Sequence, residues 1–400
     1  MHCRSHCRPV FRSRSAGLVV TWLCLLPLLF GFARVQAETL IVGPDGKPNS
    51  LREAVRQAKD GDVIDLLAGD YRGEVVVIEQ RQLTLRGVGK RPVLQAEGKV
   101  AEGKGILVVR DGDVTVENLE FRGVRAPDGN GAGIRFEKGR LKVERCAFFD
   151  NENGILTNND AAAELEIVDS EFGLAPRISG GLHHLLYVGK IARVSITGSR
   201  FYGGYEGHLI KSRARESRLS YNLIYDGPEG TASYEVDLPN GGLATLVGNV
   251  IGQSANSQNP VMVAYGAEGR GWDRNALYLS HNTLIGDPWL PNWFLRVFDD
   301  RLPAGSKVHA VNNITVGPGP FSLLNSGTFI GNHWSARRRV LQSVWTLEFE
   351  LPYDSYLRGA VQMAGTVDGI ALTPTHEFTL PVGRKPIQPP ATWSPGAYQR

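Results

Sequence analysis

The chain has little cysteine: Cys3, Cys7 and Cys24 lie near the N-terminus, which leaves Cys146 alone in the remaining sequence. A lone cysteine cannot close an internal disulfide, so stability must come from a core. Cys146 falls in an apolar strand pattern, which suits a small buried residue better than a nucleophile. Neither sign of charge is in excess, with 44 Lys and Arg against 41 Asp and Glu, a formal net charge of +3. The arginines are spread along the chain, so no nucleic-acid partner is expected. No run beyond the N-terminus is apolar enough to span a bilayer. The cysteine and histidine spacing of a zinc site and the Gly-x-Ser-x-Gly motif are both missing, which removes zinc hydrolase and serine esterase chemistry.

Glycine, by contrast, is abundant at 47 of 400 residues, above the ordinary share of about 7 % and suited to many tight turns. The N-terminus carries Arg4, Arg8, Arg12 and Arg14, an apolar run from Ala16 to Ala33, and Val35-Gln36-Ala37 before Glu38. A basic flank, an apolar stretch and a small-residue exit read as a secretory signal peptide over residues 1–37. An uncleaved anchor is the rival, because the run approaches the length of about 18 residues needed to span. The expected location is periplasmic or secreted, with no stable membrane insertion after leader removal.

From residue 83 to residue 315 a short template recurs: apolar, any, apolar, two variable residues, a small or amide residue, one variable residue, apolar. Val114 to Phe121, Leu141 to Phe148, Leu165 to Phe172, Val194 to Phe201, Ala244 to Ile251, Leu277 to Leu284 and Val308 to Thr315 follow it. The small or amide positions are Cys146, Ser170, Ser199, Asn222, Asn249, Asn282 and Asn313, separated by 24, 29, 23, 27, 33 and 31 residues. Self-similarity of this length marks a solenoid, and period-two apolar spacing makes its units strands. Strands so short, without helical patterns between them, are not βαβ units. The expected fold is all-β, a right-handed parallel β-helix over residues 38–330, with 331–400 as a packed C-terminal extension. Stacked coils would turn the asparagines into a structural column at one corner. Leu51, Ala54, Val55 and Ala58, at helical spacing after Asn49-Ser50, predict an N-terminal capping helix.

That helix, followed by Gly61-Asp62 to Gly69-Asp70-Tyr71, resembles the opening of the pectate-lyase-like parallel β-helix superfamily, and Ser394-Pro395-Gly396-Ala397-Tyr398 resembles its closing segment. The superfamily holds lyases, hydrolases, epimerases, esterases and non-catalytic proteins, so the fold alone names no reaction.

Upstream of successive markers stand His184-Leu185-Leu186-Tyr187, His208-Leu209-Ile210-Lys211, Tyr234-Glu235-Val236-Asp237 and Met262-Val263-Ala264-Tyr265. Aligned on their last residues, they put Leu186, Ile210, Val236 and Ala264 in one apolar column. Strand alternation then sends Tyr187, Lys211, Asp237 and Tyr265 outward, with Glu235 on the same side. The orientation of His184, His208 and Tyr234 is left open between a semi-buried stack and a groove floor, and His183 is an alternative to them. Lys211, Tyr187, His208, Tyr234 and Arg213 are the catalytic candidates; His184, Asn240, Tyr265, Glu268 and Arg215 are candidates for binding substrate. Trp272, Trp289 and Trp293 are available for stacking on sugars. A uronate polymer needs cations to pair with its carboxylates, a base for the C5 proton and a donor for the leaving oxygen.

Glu206-Gly207-His208-Leu209-Ile210-Lys211-Ser212 faintly resembles the Lys-Ser catalytic strand of the alginate lyase and chondroitinase B group. The resemblance implies Lys211 as base, calcium as cofactor and Glu206 as one of its ligands; Glu235 and Asp237 are the further candidates to hold a cation. The group's arginine-histidine-glycine motif is replaced here by Asp237-Leu238-Pro239-Asn240-Gly241-Gly242, and Arg213 is the nearest substitute. The leading expectation is an exported lyase whose partner is an acidic polysaccharide. Its rivals are a uronate C5 epimerase, a hydrolase using Glu235 and Asp237 as paired carboxylates, and a non-catalytic glycan-binding or envelope protein.

Overall fold

A computed structural model describes residues 37–399 apart from 179, 270, 287–289 and 324–326. The leader, with Arg4 to Ala33 and three of the cysteines, lies outside the described residues, as does Trp289. Residues from Ala37 onward form one compact unit. No helix among the described residues is long and apolar enough to cross a membrane.

The chain winds through three parallel sheets of 12, 9 and 11 strands. One coil runs from Asn153–Thr157 in the second sheet to Glu164–Val168 in the first and Glu171–Gly173 in the third, and then returns to the second at Leu186–Val188. Each strand pairs with its equivalents one coil before and one after, so the apolar positions of the template meet inside: Leu141, Leu165 and Val194 are in register, and so are Phe148, Phe172 and Phe201. The rings of Phe121, Phe148, Phe172 and Phe201 stack at centroid distances of 5.1, 4.6 and 4.7 Å, close to the strand spacing of about 4.8 Å. Cys146 is fully buried in this interior, and burial pushes its thiol pKa up to about 12.

The corner between the first and third sheets repeats in atomic detail. The residue before each marker has a left-handed backbone: Arg145, Asp169, Tyr221, His281 and Asn312 have φ between 46° and 57°, and Gly198 and Gly248 take the same turn at 64° and 66°. The marker side chain then accepts the backbone N–H of the marker one coil earlier. Ser170 Oγ accepts from Cys146 N, Ser199 Oγ from Ser170 N, and Asn222 Oδ1 from Ser199 N. From Asn222 onward the amides add a second bond, since each Nδ2 donates to the next Oδ1 at 2.8–2.9 Å and to an inner carbonyl such as Leu219 O. The column runs one rung beyond the sequence repeat, to Asn332, whose coil supplies Thr328–Ile330 and His333–Ser335.

Ser50 starts a short helix, Leu51–Gln57, with its Oγ accepting from Glu53 N while Glu53 Oε2 accepts from Ser50 N. The helix buries Leu51, Ala54 and Val55. At the other end, Leu341, Val344, Phe349, Leu351 and Leu357 pack with Leu223, Val250, Ile285 and Ile314 of the third sheet. His281 links the closing segment to the corner, with Nδ1 at 3.1 Å from Ser394 O and Nε2 at 3.0 Å from Asn312 Nδ2.

Asn249→Ala removes the acceptor of both Asn222 N and Asn222 Nδ2 and the donor to Leu219 O and Asn282 Oδ1. Stranding those buried groups is expected to cost about 2–4 kcal/mol in denaturant unfolding. A loss no larger than that of an exposed asparagine would contradict the structural role of the column.

Candidate functional site

The second sheet carries the candidate residues on Leu186–Val188, His208–Ser212, Tyr234–Leu238, Val261–Tyr265 and Trp293–Val297. Leu186, Ile210 and Val236 share a buried register, and Tyr187, Lys211 and Asp237 share the adjacent one. Leu185 and Leu209 are also in the core, next to Leu186 and Ile210. Two successive inward residues mean that the chain bends there, so strict alternation fails at that point. The bend brings His184, His208 and Tyr234 back to the outer side, where His184 meets Tyr187 and His208 at ring distances of 5.3 and 4.7 Å and His208 meets Tyr234 edge-on at 4.9 Å.

The same bend corrects one expectation. Glu235 does not stand beside Asp237 on the outer face; it takes the inward position of Leu209 and is fully buried. Its Oε2 accepts from Gln253 Nε2 at 3.2 Å and its Oε1 has no partner. Burial, with Asp226 adding repulsion, pushes its carboxyl well above the usual range. The paired carboxylates needed for hydrolysis therefore do not share a face. Tyr265 is a second correction. Asp237 is in register with Ala264, not Tyr265, and Val236 with Val263, so the fourth segment was aligned one residue off. Tyr265 lies level with Leu238, is fully buried, and donates to Gly242 O at 2.6 Å. Arg215 is exposed, beyond the turn into the first sheet and outside the contacts described below, and its carbonyl serves that turn by accepting from Leu243 N.

The remaining groups converge. Asp237 is 3 % exposed, and its Oδ2 lies 3.3 Å from Lys211 Nζ and 3.2 Å from His208 Nδ1, while its Oδ1 makes no hydrogen bond. The His208 contact is too poorly aligned for a hydrogen bond, a geometry that tightens when a substrate is bound in many enzymes. Lys211 Nζ also lies 3.4 Å from Glu268 Oε1. Arg213 Nε donates to Tyr187 Oη at 2.9 Å, its Nη1 donates to Asn240 Oδ1 at 2.8 Å, and its Nη2 donates to Glu268 Oε1 at 2.8 Å. Burial opposes the Arg213 charge, but the bonds to Glu268 and Tyr187 outweigh it and hold its pKa above the ordinary arginine value. The bond from Arg213 likewise holds Glu268 below the usual carboxylate range. Trp272 braces this arginine from behind by donating Nε1 to Arg213 O at 3.1 Å.

His184 Nδ1 accepts from His208 N at 2.9 Å, which fixes the neutral ring with its proton on Nε2. Burial, then the nearby His208 and Lys211, hold this imidazole well below its usual pKa. His183 is buried upstream, with its backbone bridged to Glu206. Glu206, Glu235 and Asp237 do not form a common ligand set, and among the described residues no three His, Cys, Asp or Glu side chains group around a metal position. The three acids expected to hold calcium therefore do not fit that task together.

Arg296 escaped the sequence reading. It stands in the outward column two coils beyond Asp237, through Ala264, and its guanidinium covers Trp293 at 4.8 Å and Phe298 at 4.4 Å. Aligning Trp293-Phe294-Leu295-Arg296 with Tyr234-Glu235-Val236-Asp237 exposes it, but the long loop between the segments hides that match.

With this geometry in hand, solved structures offer a comparison. Pectate lyase Pel9A superposes with a TM-score of 0.64 at 14% identity, covering 91% of this chain and 96% of that one. The chain has the pectate-lyase-like parallel β-helix fold. An alginate lyase from Paenibacillus sp. str. FPU-7 gives a TM-score of 0.45 at 14% identity, covering 74% of this chain and 99% of that one. No protein-family model matches this β-helix, and no curated protein matches it in sequence.

Because the His184 pKa falls on folding, the unfolded chain binds the extra proton. Stability held above pH 6.5 is then lost as pH drops below that value, by up to about 1.4 kcal/mol per pH unit. In an NMR titration the His184 ring should stay neutral well below the ordinary midpoint. A midpoint at or above the ordinary one would contradict the buried acceptor geometry.

Proposed function

We propose that the protein is an exported polysaccharide lyase that cleaves a uronate-containing glycan by β-elimination. The observation that carries this reading is the joining of Tyr187, His208, Lys211, Arg213 and Asp237, through Glu268, into one contact network on the outer wall of adjacent coils. Clusters of this density, in which a nearly buried carboxylate is held between two potential cations, are more typical of reactive sites than of surface decoration.

In this reading Arg213 and Lys211 pair with the substrate carboxylate, which draws charge away from C5 and makes its proton easier to remove. Tyr187, oriented by Arg213 Nε and reacting as the phenolate, takes that proton and becomes the phenol. The C5–H electron pair becomes the C4–C5 double bond as the C4–O bond breaks, and His208, as the imidazolium beside the Asp237 carboxylate, delivers a proton to the departing oxygen. One proton is taken by the phenolate and one is given by the imidazolium, and proton exchange with water restores both groups. Lys211 is assigned to the carboxylate rather than to proton abstraction because two acidic groups lie within 3.4 Å of its amine. Arg296 would bind a second uronate carboxylate farther along the same wall, roughly two strand spacings from Asp237. The helix Leu51–Gln57 is read as the lid of the first coil.

The test is incubation with pectate, alginate, hyaluronan and bacterial exopolysaccharides, following the ultraviolet absorbance of the unsaturated product. At least one acidic glycan is expected to give it, and Tyr187→Phe should lower kcat by about a hundredfold or more. C5 deuterium exchange without cleavage would select epimerisation, and no turnover of any uronate polymer would overturn the enzymatic reading. Arg296→Gln is expected to raise KM on long substrates while leaving kcat nearly unchanged. A kcat loss with constant KM would move Arg296 into the reacting centre.

A further inference from the structure

Several exposed rings lie beyond the last strand of the second sheet, on residues that the candidate site does not use. Trp334, on the last strand of the third sheet, is 54% exposed; Trp345, Tyr353 and Tyr356 are 78%, 94% and 77% exposed. Elsewhere the large aromatic side chains are mostly buried. Two of these rings, Trp334 and Tyr356, are nevertheless anchored by hydrogen bonds. Trp334 Nε1 donates to Gly317 O at 2.9 Å, and Tyr356 Oη lies 3.0 Å from His333 Nε2, with the two rings edge-on. Arg338 and Arg358 cover one side of Trp345 and Tyr353.

Trp334 and Tyr356 line a cleft of about 470 Å³ between the final coil and the loop at 352–356, with Arg337, Arg339, Asp354 and Ser355 also on its walls. That volume suits an oligosaccharide segment, within the usual range for ligand clefts of about 300–1,000 Å³. Among the described residues neither Arg337 nor Arg339 has an ion-pair partner, and Asp354 is the acid facing them. Anchored rings with free faces are suited to the C–H faces of pyranose rings, and forked guanidinium groups to sugar carboxylates.

We propose that this cleft is a second, non-catalytic binding site for an acidic polysaccharide chain, holding the polymer while the outer wall of the second sheet acts on it. Only the class of glycan is shared with the functional reading above; the residues are independent of it. The cleft belongs to the coil of the third sheet's last strand, His333–Ser335, whereas the second sheet ends at Trp293–Val297.

The experiment is affinity electrophoresis of the full-length protein in gels containing polygalacturonate, alginate or neutral dextran, with Tyr356→Ala, Arg339→Ala and Lys211→Ala compared with wild type. Either cleft variant should bind the acidic polymer about three- to tenfold more weakly, with an unchanged melting temperature and unchanged turnover of short oligosaccharides. Lys211→Ala should retain cleft binding. Ligand should also blue-shift the tryptophan emission, with a smaller shift in Trp334→Phe. Unchanged binding by both cleft variants, equal retardation by dextran, or no retardation of wild type by either acidic polymer would each overturn the proposal. Weakened binding by the cleft variants in a protein that turns over no glycan would sink the lyase reading and leave this site standing.

Discussion

The structure depends on a single corner. A residue in the left-handed conformation reverses the chain, and the next side chain accepts the N–H that the turn would otherwise leave unpaired one coil earlier. This bond recurs from Cys146 to Asn332, so each coil fixes the height and register of its neighbour. Sheet pairing alone allows slippage, because a shift of one residue costs few backbone bonds, though it exchanges inner and outer faces. The corner removes that freedom: an amide can serve only the N–H directly beneath it. The cost is a strained backbone at Tyr221, His281 and Asn312, where only glycine would be free of it.

Function inherits that register. Tyr187, Lys211 and Asp237 are far apart along the chain, and they become neighbours only because their strands stack without offset. The loops between them set the rest. Arg213 follows its strand directly, Asn240 comes two residues after Leu238, and Glu268 follows Tyr265 on the next coil, which lets one guanidinium tie its own coil to three others. A rigid scaffold with polar groups at strand ends and on loops would need little reorganisation to receive the extended polymer proposed above.

Much of this was legible in the sequence because the repeat writes the fold out many times. The asparagine positions, the buried phenylalanines and the single buried cysteine could be read from spacing and residue type alone. What misled was local. Alternation assigned Glu235 to the outer face, but the chain bends between Leu209 and Ile210 and between Glu235 and Val236, and no residue type marks such a bend. Tyr265 was misplaced because its loop is longer than the preceding ones, so counting from its last residue shifted the register by one. Arg296 is hidden by the long insertion before its strand, and Asn332 by the opposite change, because its coil is shortened to 19 residues after Asn313. The groups that did converge, from Tyr187 to Asp237, lie where the coils are most regular in length.

The central claim is that an acidic glycan lies along the outer wall of the second sheet, with a sugar carboxylate at Arg213 and Lys211. A crystal structure of the Tyr187→Phe protein with an acidic tetrasaccharide tests it most directly. The account predicts one carboxylate within hydrogen-bond distance of both cations, with C5 of that sugar facing the ring of residue 187. An oligosaccharide ordered on another face of the solenoid, with this wall left to solvent, would contradict it.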